Sequence, residues 1–256
     1  MASTPKRNPY LVQPILKALK ILEAIGEKGH DVTLTEIANG LKLPKTTAFR
    51  YLQTLSAAAF LRHDSEHDRY GIGPRVRMFA QADKSLHRLR RVAVPVMEQL
   101  GHAFNETVNL AIVSGFHVVY VEMIEANRPL RMQARIGERH PINATALGKA
   151  ILAFLPEAER AAILDGPLSE MTTRTIRSAG KLRRQLRDVQ KNGYALEAGE
   201  AEEGLACIGV PILDEASYPL AALSLSAPER RLLGVMDEAI AKLRDAAAIV
   251  SQRLIE

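Results

Sequence analysis

At 256 residues and 47% hydrophobic composition, the chain is long enough for two cored domains, and its one cysteine, Cys207, excludes an intrachain disulfide framework or a cysteine zinc cluster. The N-terminus is polar and proline-bearing and no apolar run reaches transmembrane length, so a cytoplasmic protein with no membrane partner is expected. Charge is divided unevenly: residues 1–91 hold 16 Lys+Arg against 8 Asp+Glu, or +8, and residues 92–256 hold 18 against 21, or −3, which sum to the net +5. A basic N-terminal part joined to a mildly acidic remainder is the footprint of a nucleic-acid-binding domain attached to something else.

Residues 1–12, including Lys6-Arg7, are expected to be a disordered tail. Residues 13–74 read as one compact module. A helix from Pro14 to Ile25 places Ile15, Leu16, Leu19, Leu22 and Ile25 on one face. A second helix starts at a capping box, Thr33 with Glu36, and carries Leu34, Ile37, Ala38 and Leu41 at helical spacing. A tight turn follows, and Pro44 opens a third helix that keeps Ala48, Phe49, Leu52 and Leu55 for the core. The rest of that helix, Lys45, Thr46, Thr47, Arg50, Tyr51 and Gln53, points outward. Strand-like runs Ala59–Asp64 and Arg69–Gly73 around the polar turn 65–68 make a β-hairpin, and a helix-turn-helix followed by such a hairpin is a winged helix.

That pattern fits duplex DNA. Thr46, Thr47 and Arg50 are the residues best placed to reach base edges, with Tyr51 beside them, Lys45 on phosphate, and Arg62 or Arg69 of the wing on the flanking backbone. The competing reading of the same residues is a solvated face on an ordinary helical hairpin. One recognition helix reads only a few base pairs, so a homodimer or homotetramer is expected.

Residues 75–91 suggest a linker helix ending in the basic cluster Arg88-Leu89-Arg90-Arg91, with Pro95 expected to break the helix or start a new one. Residues 92–256 form the second domain. Glu106–Val113 and Phe116–Glu125 are strands joined at Ser114-Gly115, and Leu130–Arg135 looks like a third strand. Helices follow at Ala144–Leu155, Glu157–Leu164 and Ala179–Asn192, the last stopped by Gly193. Tyr194–Ala198, Ala206–Leu213 and Pro219–Ser226 read as strands and Glu229–Leu254 as a long closing helix, giving an α+β domain around one antiparallel sheet.

The chain resembles the IclR family of bacterial transcription regulators over nearly its whole length. The likeness is carried by Pro44–Leu52, by Ala144-Thr145-Ala146-Leu147-Gly148-Lys149-Ala150, by Glu203–Pro211 and by Ala222–Ser226. The run Leu130–Gly137 is similar to the KdgR-like branch, which represses pectin and 2-keto-3-deoxygluconate catabolism. Lys42 and Ala59 stand where the family often has Gly, which puts the local backbone in question.

The resemblance implies a GAF-like C-terminal effector-binding domain, with control of a catabolic operon by a small organic acid or sugar acid, as a repressor or as an activator depending on where the operator lies relative to the polymerase. A helix starting near Ala144 offers free amides at Thr145, Ala146 and Leu147 to a carboxylate. Ser224 and Ser226 are two apart on one strand and share a face, and Cys207 on a neighbouring strand can line the same cavity. The resemblance also assigns Glu197 to an acidic position that binds the ligand's polar end. The bland alternatives are solvent-side serines, a buried cysteine and a solvated acidic rim. No cofactor or metal is implied. A cysteine-dependent enzyme pairing Cys207 with His140 or His117 is the main rival, against which stands the lack of any base beside Cys207 in sequence and of a zinc pattern, P-loop or G-x-S-x-G. A protein-partner module is the third possibility.

Overall fold

The computed structural model describes residues 11–82 and 84–255, so most of the expected tail, Lys6-Arg7 included, lies outside the described residues. The chain divides into two compact units, with the division between Lys84 and Ser85.

The N-terminal unit contains α1 (Gln13–Lys28), β1 (Val32–Thr33), α2 (Leu34–Gly40), α3 (Lys45–Ala57), β2 (Leu61–Asp64), β3 (Arg69–Ile72) and α4 (Pro74–Ala82). The capping box forms: Glu36 N donates to Thr33 Oγ1 at 3.3 Å and Thr33 N to Glu36 Oε2 at 2.7 Å. The Thr33 amide, together with the Thr33 hydroxyl donating to the same Oε2 at 2.9 Å, holds the Glu36 carboxyl below its ordinary range. Lys42 and Ala59 both take positive φ, 52° and 59°, a region that costs a side-chain-bearing residue energy. The wing is β2 paired with β3, and the short β1, not anticipated from sequence, adds to the other edge of β3 to give a three-stranded sheet. Tyr70 of β3 is buried and stacks on His63 with ring centroids 4.4 Å apart.

Two hydrophobic assignments in this unit are corrected. In α1 the core face is Ile21 and Ile25 with Ala18 and Leu22, while Ile15 and Leu19 are 57% and 49% exposed. The spacing 18, 21, 22, 25 makes a complete apolar stripe, and Ile15 and Leu19 fall on the neighbouring face, beyond the reach of a core this small. Phe49, 46% exposed, likewise leaves the core to Ala48, Leu52 and Leu55.

The C-terminal unit is built on six antiparallel strands in the order β6-β5-β4-β9-β8-β7. These are β4 (Thr107–Ser114), β5 (His117–Ile124), β6 (Arg139–Pro141), β7 (Ala195–Ala198), β8 (Leu205–Leu213) and β9 (Pro219–Pro228). Helices α5 (Lys84–Phe104), α9 (Glu229–Leu233) and α10 (Met236–Ile255) cover one face; α6 (Ala146–Phe154), α7 (Glu157–Leu164) and α8 (Ala179–Asn192) cover the other. Strand alternation sorts the residues. Leu223, Leu225 and Ala227 of β9 pack toward α5 and α10, which leaves Ala222, Ser224 and Ser226 facing the α6 side. Gly193 closes α8 with φ 78°, as expected of a C-terminal glycine.

Three expectations fail here. Residues 130–135 form no strand. Met132 and Ala134 point inward in alternation with more exposed neighbours, so the period-two pattern is present, but the edge of β5 is taken by β6 instead. Pro95 does not interrupt α5. It sits on the exposed side, where the carbonyl four residues earlier can be hydrated. The closing helix is broken into α9 and α10 at Gly234-Val235, where Gly234 N and Val235 N bond back to Arg231 O and Leu232 O at 3.2 and 3.1 Å.

Candidate functional site

Helix α2 leads through the 41–44 turn into α3, whose N-cap is Pro44. Leu43 N bonds to Ala38 O at 2.8 Å, fixing the turn. On α3, Lys45, Thr46 and Arg50 are exposed, and Thr47 and Tyr51 are half-buried, with Tyr51 packed against the core. Lys45 and Arg50 have no ion pair among the described residues. The wing arginines differ. Arg62 pairs with the Asp31 carboxylate at 2.7 Å, and Arg69 Nη1 donates to the Asp31 carbonyl at 2.8 Å. Both expected phosphate contacts are therefore tethered to one residue that sequence reading does not connect with them.

In the C-terminal unit, Thr145, Ala146, Leu147, Glu197, Cys207, Ser224 and Ser226 all line one small cavity of about 50 Å³. Tyr120, Met132, Gln133, His140, Ala201, Glu202 and Leu205 complete it. Thr145 caps α6 by accepting from Gly148 N at 3.0 Å, and Lys149 N makes the first i→i−4 bond, to Thr145 O at 3.0 Å. The amides of Ala146 and Leu147 precede that bond and have no helical acceptor. The close seat of this helix end on β8 depends on Gly209: a Cβ there would lie 2.5 Å from the Ala146 carbonyl oxygen.

Opposite the helix end stands Glu197, 2% exposed. Its Oε1 accepts from the backbone amides of Glu200 and Ala201, the latter at 3.0 Å, while Oε2 is buried with no hydrogen-bond partner among the described residues. Burial pushes this carboxyl above its ordinary value, against the lowering effect of the two amides. Behind it, the fully buried Lys149 forms an ion pair with Glu200, and burial drives the Lys149 amine down. The Glu200 carbonyl accepts from Thr175 Oγ1 at 2.6 Å, so the 199–201 corner is tied to the preceding segment.

Sequence reasoning misses Asn109. It lies opposite Ser224 in the β4–β9 ladder, and its Nδ2 reaches Ser224 Oγ at 3.3 Å and Ser226 Oγ at 3.1 Å. A polar residue between Val108 and Leu110 is the available signal, but only the strand register makes it a neighbour of the serines. The cysteine–histidine pairing finds no support in the geometry. The Cys207 thiol donates to Ser226 Oγ at 3.1 Å, His140 Nε2 faces Glu138 Oε1 at 3.0 Å, and burial beside Glu197 pushes the thiol strongly up, away from a reactive thiolate.

The sequence profile for the IclR helix-turn-helix domain matches residues 14–65, and that for the bacterial transcriptional regulator IclR C-terminal domain matches residues 82–252. This chain belongs to the IclR family. The transcriptional regulator KdgR of Escherichia coli is 32% identical over 252 residues, covering 97% of this chain and 95% of the relative. The transcriptional repressor IclR of the same organism is 32% identical over 86% of this chain and 82% of its own length. The Thermotoga maritima IclR crystal structure superposes with a TM-score of 0.71 at 31% identity, over 94% of this chain and 98% of that one. An IclR homologue from Microbacterium hydrocarbonoxydans in complex with 4-hydroxybenzoate gives 0.81 at 26% identity, over 95% and 99%. Like these relatives, this IclR-family chain is a DNA-binding transcription regulator with a C-terminal effector domain; the named relatives are regulators and repressors, not enzymes. Among the described residues no helix is long and apolar enough to cross a membrane.

Proposed function

We propose that this regulator acts in the cytoplasm as a homodimer or homotetramer, binding a duplex DNA operator of a catabolic operon and repressing it until a small organic acid occupies the C-terminal cavity. In this reading Thr46, Thr47 and Arg50 meet base edges, Tyr51 supports them, and Lys45 meets phosphate; Arg62 and Arg69, held at Asp31 through one nitrogen each, keep further N–H donors for the backbone. The observation that carries the ligand half is the convergence of Ala146 and Leu147 of α6, Ser224 and Ser226 on one cavity with Glu197, whose Oε2 has no hydrogen-bond partner among the described residues. A carboxylate suits the positive end of α6, and a hydroxyl elsewhere on the ligand would satisfy Glu197 Oε2. The Microbacterium relative binds an acid that carries both groups, which agrees with this division.

A cavity of about 50 Å³ holds only a few water-sized volumes at ~15 Å³ each, which favours the smallest acids over a sugar acid unless the irregular 125–135 segment moves outward. Titration calorimetry across short hydroxy, keto and sugar acids tests the assignment. Saturable binding of a short acid that is lost in Glu197→Ala and Ser224→Ala is expected; no binding across the panel contradicts it.

A further inference from the structure

We propose that Asn109 is a positioning residue: it fills the acceptor sites of Ser224 and Ser226 so that both hydroxyl protons turn into the cavity, and the site then recognises a carboxylate with neutral donors alone. This rests on the reading of the cavity as the effector site.

A serine hydroxyl can donate or accept, and its neighbours decide which. Asn109 is fully buried on the cavity face of β4, with its Nδ2 on both hydroxyls and 3.6 Å from the Met132 thioether. With Nδ2 facing the thioether and the two serines, the amide oxygen Oδ1 is buried with no hydrogen-bond partner among the described residues. Ser226 Oγ receives a second donor, the Cys207 thiol. Neither hydroxyl proton has a side-chain acceptor among the described residues, and both serines line the cavity. Together with the Ala146 and Leu147 amides, four donors converge from β9 and α6. The lining holds no Lys or Arg, and His140 turns its Nε2 to Glu138. Fixed dipoles aimed at one point stabilise an anion without reorganising when it arrives. An amide or alcohol of the same shape offers no negative charge to the same donors and is discriminated against.

Asn109→Asp keeps the shape and reverses the polarity. The new carboxylate accepts both hydroxyl protons and withdraws them from the cavity. Lactate and lactamide serve as probes in calorimetry on the full chain; wild type is expected to prefer lactate by at least tenfold, and the variant to lose that preference. A readout free of ligand is the S–H stretch of Cys207, the chain's only cysteine. Once Ser226 donates to the introduced carboxylate, its oxygen becomes a stronger acceptor for the thiol, so the stretch should move to lower wavenumber. An unmoved stretch, or a retained preference for lactate, overturns the role of Asn109. A moved stretch with no acid of the short hydroxy, keto and sugar acid panel bound by wild type supports the hydroxyl orientation and overturns the effector reading, so the two failures are separable. If the buried carboxylate prevents folding, Asn109→Leu removes the two donors without adding an acceptor, so the preference for lactate is expected to shrink but not vanish; an unchanged preference overturns the proposal.

Discussion

On α3, Lys45 and Arg50 stand in solvent with no ion pair among the described residues, whereas in the C-terminal unit Lys149 and Glu200 are closed away from water against each other. The two regions use charge for different ends. Exposed, unpaired cations contribute little to folding and are free to displace counterions from a polyanion, so their effect appears in binding and falls with salt. A buried pair contributes little to binding but cannot lose one member without exposing the fold to an uncompensated charge. In the proposed reading, the cavity beside that pair adds a third strategy, in which amide and hydroxyl dipoles receive the carboxylate of the ligand.

The sharpest way to break the contrast is at Lys149. Lys149→Ala leaves Glu200 buried without its partner and should destabilise the C-terminal unit by about 3–5 kcal/mol. Scanning calorimetry checks this, and a C-terminal transition displaced by only a degree or two would mean that the pair is solvated. Next in size is Arg50→Ala, expected to weaken specific operator binding by about 1–3 kcal/mol if Arg50 reads a base edge, with no change in melting temperature. Lys45→Ala should instead lower affinity for all DNA and reduce the salt slope by about one unit, as measured by fluorescence anisotropy across a salt series.

A smaller effect is expected at Glu197. Its carboxyl is raised in the folded state, so the fold prefers the protonated form; that stabilisation is complete below the ordinary value of 4.5 and is lost as pH rises through the folded value. Glu197→Gln keeps an oxygen for the Glu200 and Ala201 amides and removes the titration. The variant's C-terminal unit should therefore melt above wild type at neutral pH and match it in acid, and an identical pH profile for the two proteins would contradict the buried-carboxyl account. The smallest effects belong to the N-terminal turns. Lys42→Gly and Ala59→Gly relieve positive φ but loosen the unfolded chain, so each should change stability by no more than about 1 kcal/mol, in the stabilising direction.

Much of this is legible in sequence where the signal is local. The Thr33–Glu36 capping box, the Gly193 stop and the alternation in β9 each depend on residues a few positions apart, and each forms. The conformation at Lys42 and Ala59 is flagged by their replacing glycine, and both adopt the glycine-like region. Non-local decisions are opaque. Burial at 130–135 alternates as in a strand, but that period says nothing about which strand occupies the neighbouring edge. The stripe of α1 is misplaced by one face because Ile15 and Leu19 match the period as well as Ile21 does. Asp31 and Asn109 matter through partners 31 and 115 residues away, Arg62 and Ser224, and no spacing rule reaches that far.

The most direct test of a sequence-reading regulator is to capture fragmented genomic DNA on the purified full chain at moderate salt and sequence what is retained. A small set of discrete sites with two-fold symmetric half-sites about one helical turn apart is the predicted result. Diffuse retention with no shared motif, vanishing as salt rises, would contradict it.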